Sequence, residues 1–297
     1  MRQTLILDSS QISCYLECAQ QHHLRYVENL THSDEIREDM AAGTYGHKLL
    51  EIYYTHLAKG CDLKCAVAAV YKFHLEENFP LSLSKRADVA SRFGIYWMTY
   101  SHNDIQPSIG QPIYKLSSGT NVNELVETWE PKPLVEQGFS YELLRDNTYL
   151  FVLEGRIDLI GILGGQTIWL DHKFQGRRHD LYKKSIQFRN YSLVTNLNLG
   201  VVNYIRLHKE VTKDTLVRDI ISFNSYERAL WREELIEIFK TILSEQSQGE
   251  PRKNRGACAG KFSIPCEFTR ICEEPSFVTV EAIKNTYYKK KEVWKPW

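Results

Sequence analysis

Asp158, Asp171 and Lys173 lie on two neighbouring stretches of alternating apolar and polar residues near the middle of the chain. If residues 149–162 and 167–174 form an antiparallel hairpin, both carboxylates project at one end of the sheet and Lys173 faces the same side. Carboxylate oxygens are natural ligands of Mg²⁺ or Mn²⁺. A lysine beside such an ion can orient an attacking water and stabilise charge on it. The alternative is that the aspartates are solvated caps of the hairpin turn.

Other polar residues could converge on the same centre. His47 lies on a predicted helix, with Glu51 one turn later on the same face. Glu136 belongs to the strand before the hairpin, where its carboxylate could reach the same ion. Gln187 and Tyr191 are four residues apart on the following helix, so an amide and a phenol share one face. Each also has a plain structural interpretation, because helical histidines are usually surface or core residues and strand glutamates are often solvated.

The elements that must position these residues follow from hydrophobic periodicity. Helices are predicted through the first 105 residues and strands after the prolines that follow. The predicted helices after the first are 36–59, 62–79, 84–103, 180–197 and 226–247, and the predicted strands are 134–144, 149–162, 167–174, 200–208 and 215–223. This order indicates an α/β fold in which a helical layer precedes a sheet. Such a fold hosts many chemistries and does not decide the function.

Taken in order along the chain, these residues resemble the RecB-like branch of the PD-(D/E)xK nucleases. That branch has a G-x-x-x-H motif, a G-x-x-D-L-I strand, a D-x-K strand and a Q-x-x-x-Y helix. The matching segments here are Gly43 to His47, Gly155 to Ile160, Asp171 to Lys173 and Gln187 to Tyr191. The resemblance covers about residues 43–192 and extends to the whole chain, because the ends also fit. It implies a central mixed sheet flanked by helices, with an N-terminal helical region and a C-terminal cysteine segment.

The resemblance also implies roles for individual residues. His47, Asp158 and Asp171 would bind the metal, with the backbone carbonyl of His172 as a further ligand. Lys173 would be the catalytic lysine. The helix residues Gln187 and Tyr191 would support the site and the DNA strand, and Glu136 is a further candidate ligand.

The seven cysteines are too sparse for a disulfide scaffold in a chain of 297 residues. Similar proteins, including AddB-type helicase-nucleases, CRISPR-adaptation nucleases and phage exonucleases, carry an iron–sulfur cluster held by one early and three late cysteines. The resemblance implies such a [4Fe–4S] cluster here, held by Cys18, Cys258, Cys266 and Cys272. The seven-residue gap between the first two late cysteines departs from the usual spacing. Zn²⁺ or reduced thiols are the alternatives, and Cys14 could replace the early cysteine. Cys61 and Cys65 are expected to be buried small hydrophobic residues.

The charges cancel overall but not locally. The chain has 37 basic and 37 acidic residues, which excludes a polycation that holds nucleic acid by bulk charge. Residues 171–190 nevertheless carry six basic against two acidic residues, and residues 252–297 carry ten against five. Tyr182, Phe188 and Tyr191 lie among the first group and could stack on unpaired bases. The alternative is that these charges are ordinary solvated faces.

The sequence therefore predicts a metal-dependent DNA nuclease, an exonuclease on DNA ends or single strands, with a helicase or recombination partner. Its expected domains are a helical region (1–105), a nuclease core (106–250) and a cysteine segment (251–297). The competing hypothesis is a non-catalytic module that binds DNA ends or a partner, and the third is a phosphodiesterase acting on RNA or nucleotides. The sequence contains neither a secretory signal nor a membrane-spanning stretch, so we expect a cytoplasmic protein.

Overall fold

The computed structural model describes residues 2–32, 38–101, 104–110, 132–178, 181–207, 215–249, 251–259 and 265–292. Within them the helices are α1 (Ser9–Glu17), α2 (Ala19–His22), α3 (Glu38–Ala58), α4 (Leu63–Glu76), α5 (Leu83–Tyr100), α6 (Ile186–Thr195), α7 (Ser225–Gln248), α8 (Thr269–Glu273) and α9 (Phe277–Tyr287). The strands are β1 (Gln3–Asp8), β2 (Leu30–His32), β3 (Gln106–Pro107), β4 (Ile109–Gly110), β5 (Lys132–Pro133), β6 (Val135–Arg145), β7 (Tyr149–Leu163), β8 (Gln166–Gln175), β9 (Leu199–Arg206), β10 (Leu216–Ser222) and β11 (Tyr288–Lys290). The expected α/β class is confirmed. In the described part of the chain, no helix combines the length and apolar character needed to cross a bilayer.

The chain packs as two compact units. Residues 36–141 and 155–232 form the unit that we call the sheet unit, and residues 1–35, 142–154 and 233–297 form the terminal unit. These bounds cut across the three segments expected from sequence, because residues near both ends of the chain cluster together. The three-segment domain division stays a prediction.

The sheet unit is built on a mixed sheet. Strands β7 and β8 form the expected antiparallel hairpin, with Leu159 opposite Leu170. Gly164 and Gly165 have φ values of +58° and +78° in its turn, which glycine adopts without steric cost. β8 pairs in parallel with β9, which pairs antiparallel with β10, so the strand order is β7-β8-β9-β10. In the hairpin, the end of β7 lies beside the first half of β8.

Helices α3, α4 and α5 pack on one another, and α3 also packs on β8. Their shared core is made of aromatic and aliphatic side chains, including Tyr45, Leu49, Tyr53, Val89, Phe93, Leu170 and Val201. A Cβ atom at Gly46 would lie 2.6 Å from the ring of Phe174 on β8. Glycine is therefore required for α3 to approach the sheet this closely. The next residue, His47, is brought to the sheet by the same contact.

The terminal unit joins the two ends of the chain. β1 pairs in parallel with residues 149–154 of β7, and β2 pairs antiparallel with β11. Asp8 caps α1 by accepting hydrogen bonds from the N–H groups of Ser10 and Gln11. A small core holds the unit together, and its buried members are Leu24, Leu30, Phe268, Ile271 and Tyr288.

The expectation of helix through the first 105 residues is wrong at the very start. Residues Gln3–Asp8 form a strand in which half of the side chains are exposed and only Leu7 is buried. This strand exists because its backbone pairs with β7, a partner about 145 residues away in the chain. A local hydrophobic pattern does not reveal such pairing.

Candidate functional site

The hairpin places the central acidic residues next to each other. Asp158 precedes Leu159 and Asp171 follows Leu170, so the two aspartates lie next to the Leu159–Leu170 pair. The backbone N–H of His172 donates to Asp158 Oδ2 at 2.6 Å. Because β-strand side chains alternate, Lys173 shares a face with Asp171, and the lysine Nζ lies 2.7 Å from Asp171 Oδ2.

Two further side chains reach Asp158 from other elements. His47 Nδ1 on α3 lies 3.2 Å from Asp158 Oδ2 and 3.8 Å from Glu136 Oε1. Glu136, near the start of β6, has a φ of +47°, a left-handed conformation that is uncommon for residues other than glycine. Such strain persists where the surroundings hold the residue in place, and it clusters at functional sites. Arg156 Nη1 lies 3.8 Å from the other Glu136 oxygen.

The resulting donor set fits a divalent cation. His47, Glu136 and Asp158 each offer one ligand atom, and these three atoms lie within 4.8 Å of one another. Asp171 Oδ2 is fully buried and is paired with the Lys173 ammonium, 2.7 Å away. Oxygen-rich donor sets with one imidazole can hold Mn²⁺ or Mg²⁺. The His47 side chain is 31% exposed, so an ion can enter from solvent.

Gln187 and Tyr191 on α6 fix the lysine and the second aspartate. Gln187 Oε1 accepts from Lys173 Nζ at 2.9 Å, while its Nε2 donates to Asp171 Oδ1 at 3.1 Å and to the Tyr191 hydroxyl at 2.6 Å. The Tyr191 hydroxyl donates to the carbonyl of Arg156 at 2.5 Å. One amide therefore holds the charged ends of both Asp171 and Lys173.

Burial and neighbouring charges shift the pKa values of the site residues in different directions. Burial would lower the pKa of His47, but the neighbouring carboxylates of Asp158 and Glu136 raise it to about 10. Burial would raise the pKa of Asp158, but His47 lowers it to about 2. Burial raises the pKa of Asp171 to about 6, against the opposing effect of Lys173. Without a metal, His47 is thus an imidazolium paired with Asp158, and a cation that binds there displaces the imidazolium proton.

The His172 side chain lies in a buried polar network on the other face of β8. Its ring stacks on Tyr54 with centroids 5.8 Å apart, and burial lowers its pKa to about 3. Asn203 Nδ2 lies 3.4 Å from His172 Nδ1, and Arg218 Nε donates to Asn203 Oδ1 at 2.8 Å. Arg218 Nη2 also lies 3.4 Å from Asp104 Oδ1. Sequence reasoning missed this network, because no local pattern links its members. The role expected for the His172 carbonyl stays a prediction.

The expectation that Tyr182, Phe188 and Tyr191 stack on bases is wrong. All three rings are buried, with exposures of 7%, 1% and 2%, and they pack with Trp169 or with each other. Apolar residues of this stretch face the core, which the charge pattern alone did not reveal.

Several basic residues of this stretch have acidic or aromatic neighbours. Lys183 Nζ lies 2.8 Å from Glu227 Oε1, and Arg178 forms an ion pair with Asp219. The Arg189 guanidinium lies 5.1 Å from the centre of the Trp231 ring. The local excess of positive charge is therefore smaller in the fold than along the sequence.

In the terminal unit, four cysteines line one cavity of about 130 Å³. These are the cysteines expected from sequence to bind a cluster: Cys18, Cys258, Cys266 and Cys272. Cys18 Sγ accepts from the N–H of Asn254 at 3.4 Å, across 236 residues of sequence. Cys14 is buried but does not line the cavity. Burial raises the pKa of the Cys272 thiol to about 11.

The expectation that Cys61 and Cys65 are buried small hydrophobic residues is wrong. Cys65 is exposed and Cys61 is partly exposed. Both lie at the turn between α3 and α4, where helix ends leave side chains at the surface. Periodicity placed them on one helix face, but Cys61 precedes the helix.

The sequence matches the model of the PD-(D/E)XK nuclease superfamily over residues 9–273. The chain therefore belongs to this superfamily, and the expected mixed sheet flanked by helices is its fold. Membership makes the chain a nuclease-type hydrolase that acts on nucleic acid. The RecB-like branch expected from the motifs is a finer assignment that this match does not decide.

Two solved structures are similar over most of the chain. The crystal structure of SSO0001 is 12% identical, with a TM-score of 0.39, and the match covers 90% of this chain and 85% of that one. A structure from Eubacterium rectale named "Putative exonuclease" is 10% identical, with a TM-score of 0.44, and the match covers 95% and 92%. No curated protein matches the chain with statistical significance.

Proposed function

We propose that the protein is a metal-dependent deoxyribonuclease of the RecB-like branch that acts on DNA ends or single strands. The observation that carries this proposal is the grouping of His47, Glu136 and Asp158 around one point, beside a lysine held by Gln187. A superfamily match indicates the reaction class. The grouping supports a competent site in this chain.

The metal would be held by His47, Glu136 and Asp158, with Asp171 close by. Mg²⁺ or Mn²⁺ in this position would polarise the scissile phosphate and lower the pKa of a water molecule. The carboxylates suit both ions, whereas the imidazole nitrogen favours Mn²⁺, the softer of the two. We therefore expect Mn²⁺ to support at least as much activity as Mg²⁺.

The residues around the metal would orient the nucleophile and stabilise charge. The Lys173 ammonium is fixed by Asp171 and Gln187, so it can donate to a water molecule or to a phosphate oxygen without first losing side-chain freedom. Tyr191 holds Gln187 in turn. This chain of contacts keeps the amine pointing into the site.

We also propose that the four cysteines of the terminal unit bind a [4Fe–4S] cluster. All four line one cavity of about 130 Å³, and they come from both ends of the chain in the one-plus-three order of the similar proteins. Four thiolates gathered in this way can hold an iron–sulfur cluster, and a Zn²⁺ ion is the alternative occupant.

The proposed substrate is DNA in the cytoplasm, with a helicase or recombination protein as a partner. The basic residues near the site and in the cysteine segment support binding to a phosphate backbone. Lys184 is the clearest candidate, because it is exposed on the short helical turn before α6.

The test is a cleavage assay with the full chain, Mn²⁺ or Mg²⁺, and DNA labelled at the 5′ or the 3′ end. We expect stepwise loss of label from linear single or double strands, and no cleavage with chelator. Closed circular DNA should stay intact. Cleavage of circles would contradict the exonuclease assignment, and an equal rate on RNA would contradict the DNA preference.

The non-catalytic alternative predicts a different result. A binding module would retain linear DNA in the absence of metal and would release no nucleotides with it. Binding without cleavage, in protein that carries bound Mn²⁺, would overturn the nuclease proposal for this chain.

A further inference from the structure

A second group of metal-binding side chains lies at the turn between α3 and α4. His56 is in the last turn of α3, Cys61 is in the connecting turn, and Cys65 is in the first turn of α4. The Cys61 and Cys65 sulfur atoms are 2.6 Å apart, and Cys61 Sγ lies 3.6 Å from His56 Nδ1. All three ligand atoms lie within 4.8 Å of one another.

The backbone of the turn holds these residues together. Gly60, with a φ of +84°, reverses the chain after α3, and the Cys61 N–H donates to the carbonyl of His56 at 3.1 Å. Asp62 caps α4 by accepting from the N–H of Cys65 at 2.8 Å. The three donors are therefore placed by local hydrogen bonds before any ion binds.

The spacing of the donor atoms is close to that of a zinc chelate, with one adjustment. Two thiolates on one tetrahedral Zn²⁺ ion lie about 3.8 Å apart and a thiolate and an imidazole nitrogen about 3.5 Å apart, given bonds of about 2.3 and 2.0 Å. Cys61 Sγ and His56 Nδ1, at 3.6 Å, already have the second spacing. The two sulfur atoms, at 2.6 Å, must move apart by about 1 Å, which the exposed side chain of Cys65 can do by turning outward. The imidazole gives a third donor, which a disulfide would not use.

We propose that His56, Cys61 and Cys65 form a site for a thiophilic divalent cation of the Zn²⁺ class, separate from the acidic centre and from the four-cysteine cavity. Two thiolates and one imidazole are ligands that Zn²⁺ prefers, at bond lengths of about 2.3 and 2.0 Å. The exposed Cys65 leaves the fourth position open to solvent or to a further ligand. Binding releases the two thiol protons, so the affinity rises with pH. The proposal does not rest on the nuclease function.

The experiment measures Zn²⁺ affinity in the full chain by competition with a chromogenic chelator under anaerobic conditions. Wild type, Cys65→Ser, His56→Ala and Cys258→Ser are compared. Because changes next to a metal ligand cost about 10–100-fold in affinity, loss of a direct ligand should cost more than about 100-fold. We expect that loss in Cys65→Ser and His56→Ala. Cys258→Ser, which changes the other cysteine group, should keep the site.

Thiol alkylation followed by peptide mass analysis locates the ion independently. Zn²⁺ should protect Cys61 and Cys65 from the reagent in wild type but not Cys65 in the His56→Ala protein. Equal alkylation with and without Zn²⁺ would overturn the proposal, as would a Zn²⁺ affinity lost only in Cys258→Ser. A disulfide between Cys61 and Cys65 that persists when the protein is purified anaerobically with a reductant would also overturn it. Cys65 is exposed, so its serine variant should fold, which an unchanged melting temperature checks.

Discussion

The acidic site and the four-cysteine cavity gather their ligands in different ways. In the sheet unit, Asp158, Asp171 and Lys173 come from one hairpin. The backbone N–H of His172 holds Asp158, and an ion pair and Gln187 hold Asp171 and Lys173. In the terminal unit, Cys18 and the late cysteines are more than 230 residues apart. The first arrangement exists without an ion, because the sheet builds it. The second brings distant segments together, so a bound cluster would stabilise that fold directly.

The largest expected effect is the loss of DNA cleavage when the acidic site is changed and the four-cysteine cavity is left intact. Replacing Lys173 by Ala should lower the rate of DNA cleavage by about 10²–10³-fold, the usual cost of losing one fixed donor to developing charge. Iron content should stay unchanged. Lys72→Ala removes the same charge at an exposed position of α4, outside the site, and should keep the rate within about threefold. Single-turnover kinetics with labelled DNA measure both variants, and equal rates would contradict the role of Lys173.

The reverse experiment changes the four-cysteine cavity and leaves the acidic site intact. Cys266→Ser should reduce bound iron from about four atoms per chain towards none and remove the brown colour. We expect a lower melting temperature, because the cluster joins segments from both parts of the chain. Mn²⁺ binding at the acidic site, followed by electron paramagnetic resonance, should persist in the folded protein. Cys14→Ser, a buried cysteine outside the cavity, is the matched control, and full iron retention in Cys266→Ser would refute the cluster.

The third prediction concerns a buried ion pair that stabilises the sheet unit. Arg218 and Asp104 form an ion pair whose side chains are 14% and 8% exposed. Replacing Arg218 by Leu leaves the buried Asp104 carboxylate without its cationic partner. Hydrogen bonds from Tyr54 and the Ile105 N–H remain, but the free energy of unfolding should still fall by about 3 kcal/mol. Urea unfolding measures the change. The double variant with Asp104→Leu should recover part of the loss, and an additive double-variant effect would contradict the pairing.

The smallest effect concerns pH and compares one histidine in each unit. Burial lowers the pKa of His22 from 6.5 to about 4 and that of His172 to about 3. The unfolded chain therefore binds more protons below pH 6.5, and stability falls as the pH drops towards 4. Each histidine lowers the free energy of unfolding by at most about 1.4 kcal/mol per pH unit in this range. His22→Phe should flatten the dependence of the melting temperature on pH, measured without divalent ions. An unchanged slope would mean that His22 is already charged in the folded chain.

The sequence predicted what depends on local periodicity. The alternation in β7 and β8 indicated the hairpin and the shared face of Asp171 and Lys173, because a strand has a fixed repeat of two. The family resemblance implied that His47 is a ligand, whereas Glu136 was a candidate only because its strand precedes the hairpin. Their meeting depends on the packing of α3 on β8 and on the left-handed backbone of Glu136, and neither has a local signature.

Other features could not be read from the sequence for the same physical reason. Arg218 and Asp104 are 114 residues apart and meet through tertiary packing. The pattern of charges around Phe188 suggested an exposed binding surface, but the ring faces the core. Cys61 looked like a helix residue because its spacing to Cys65 is four, yet it lies in the turn before the helix.

The division of the terminal unit into residues 1–35, 142–154 and 233–297 has a consequence for how the protein is made. Synthesis proceeds from the N-terminus, and domains fold as units once their residues are available. The sheet unit is complete when residue 232 has emerged from the ribosome. By then β1 can pair with residues 149–154 of β7, but β2 and Cys18 must wait for partners in the last 65 residues. The nascent chain therefore carries a finished hairpin while these parts of the terminal unit still lack their later partners.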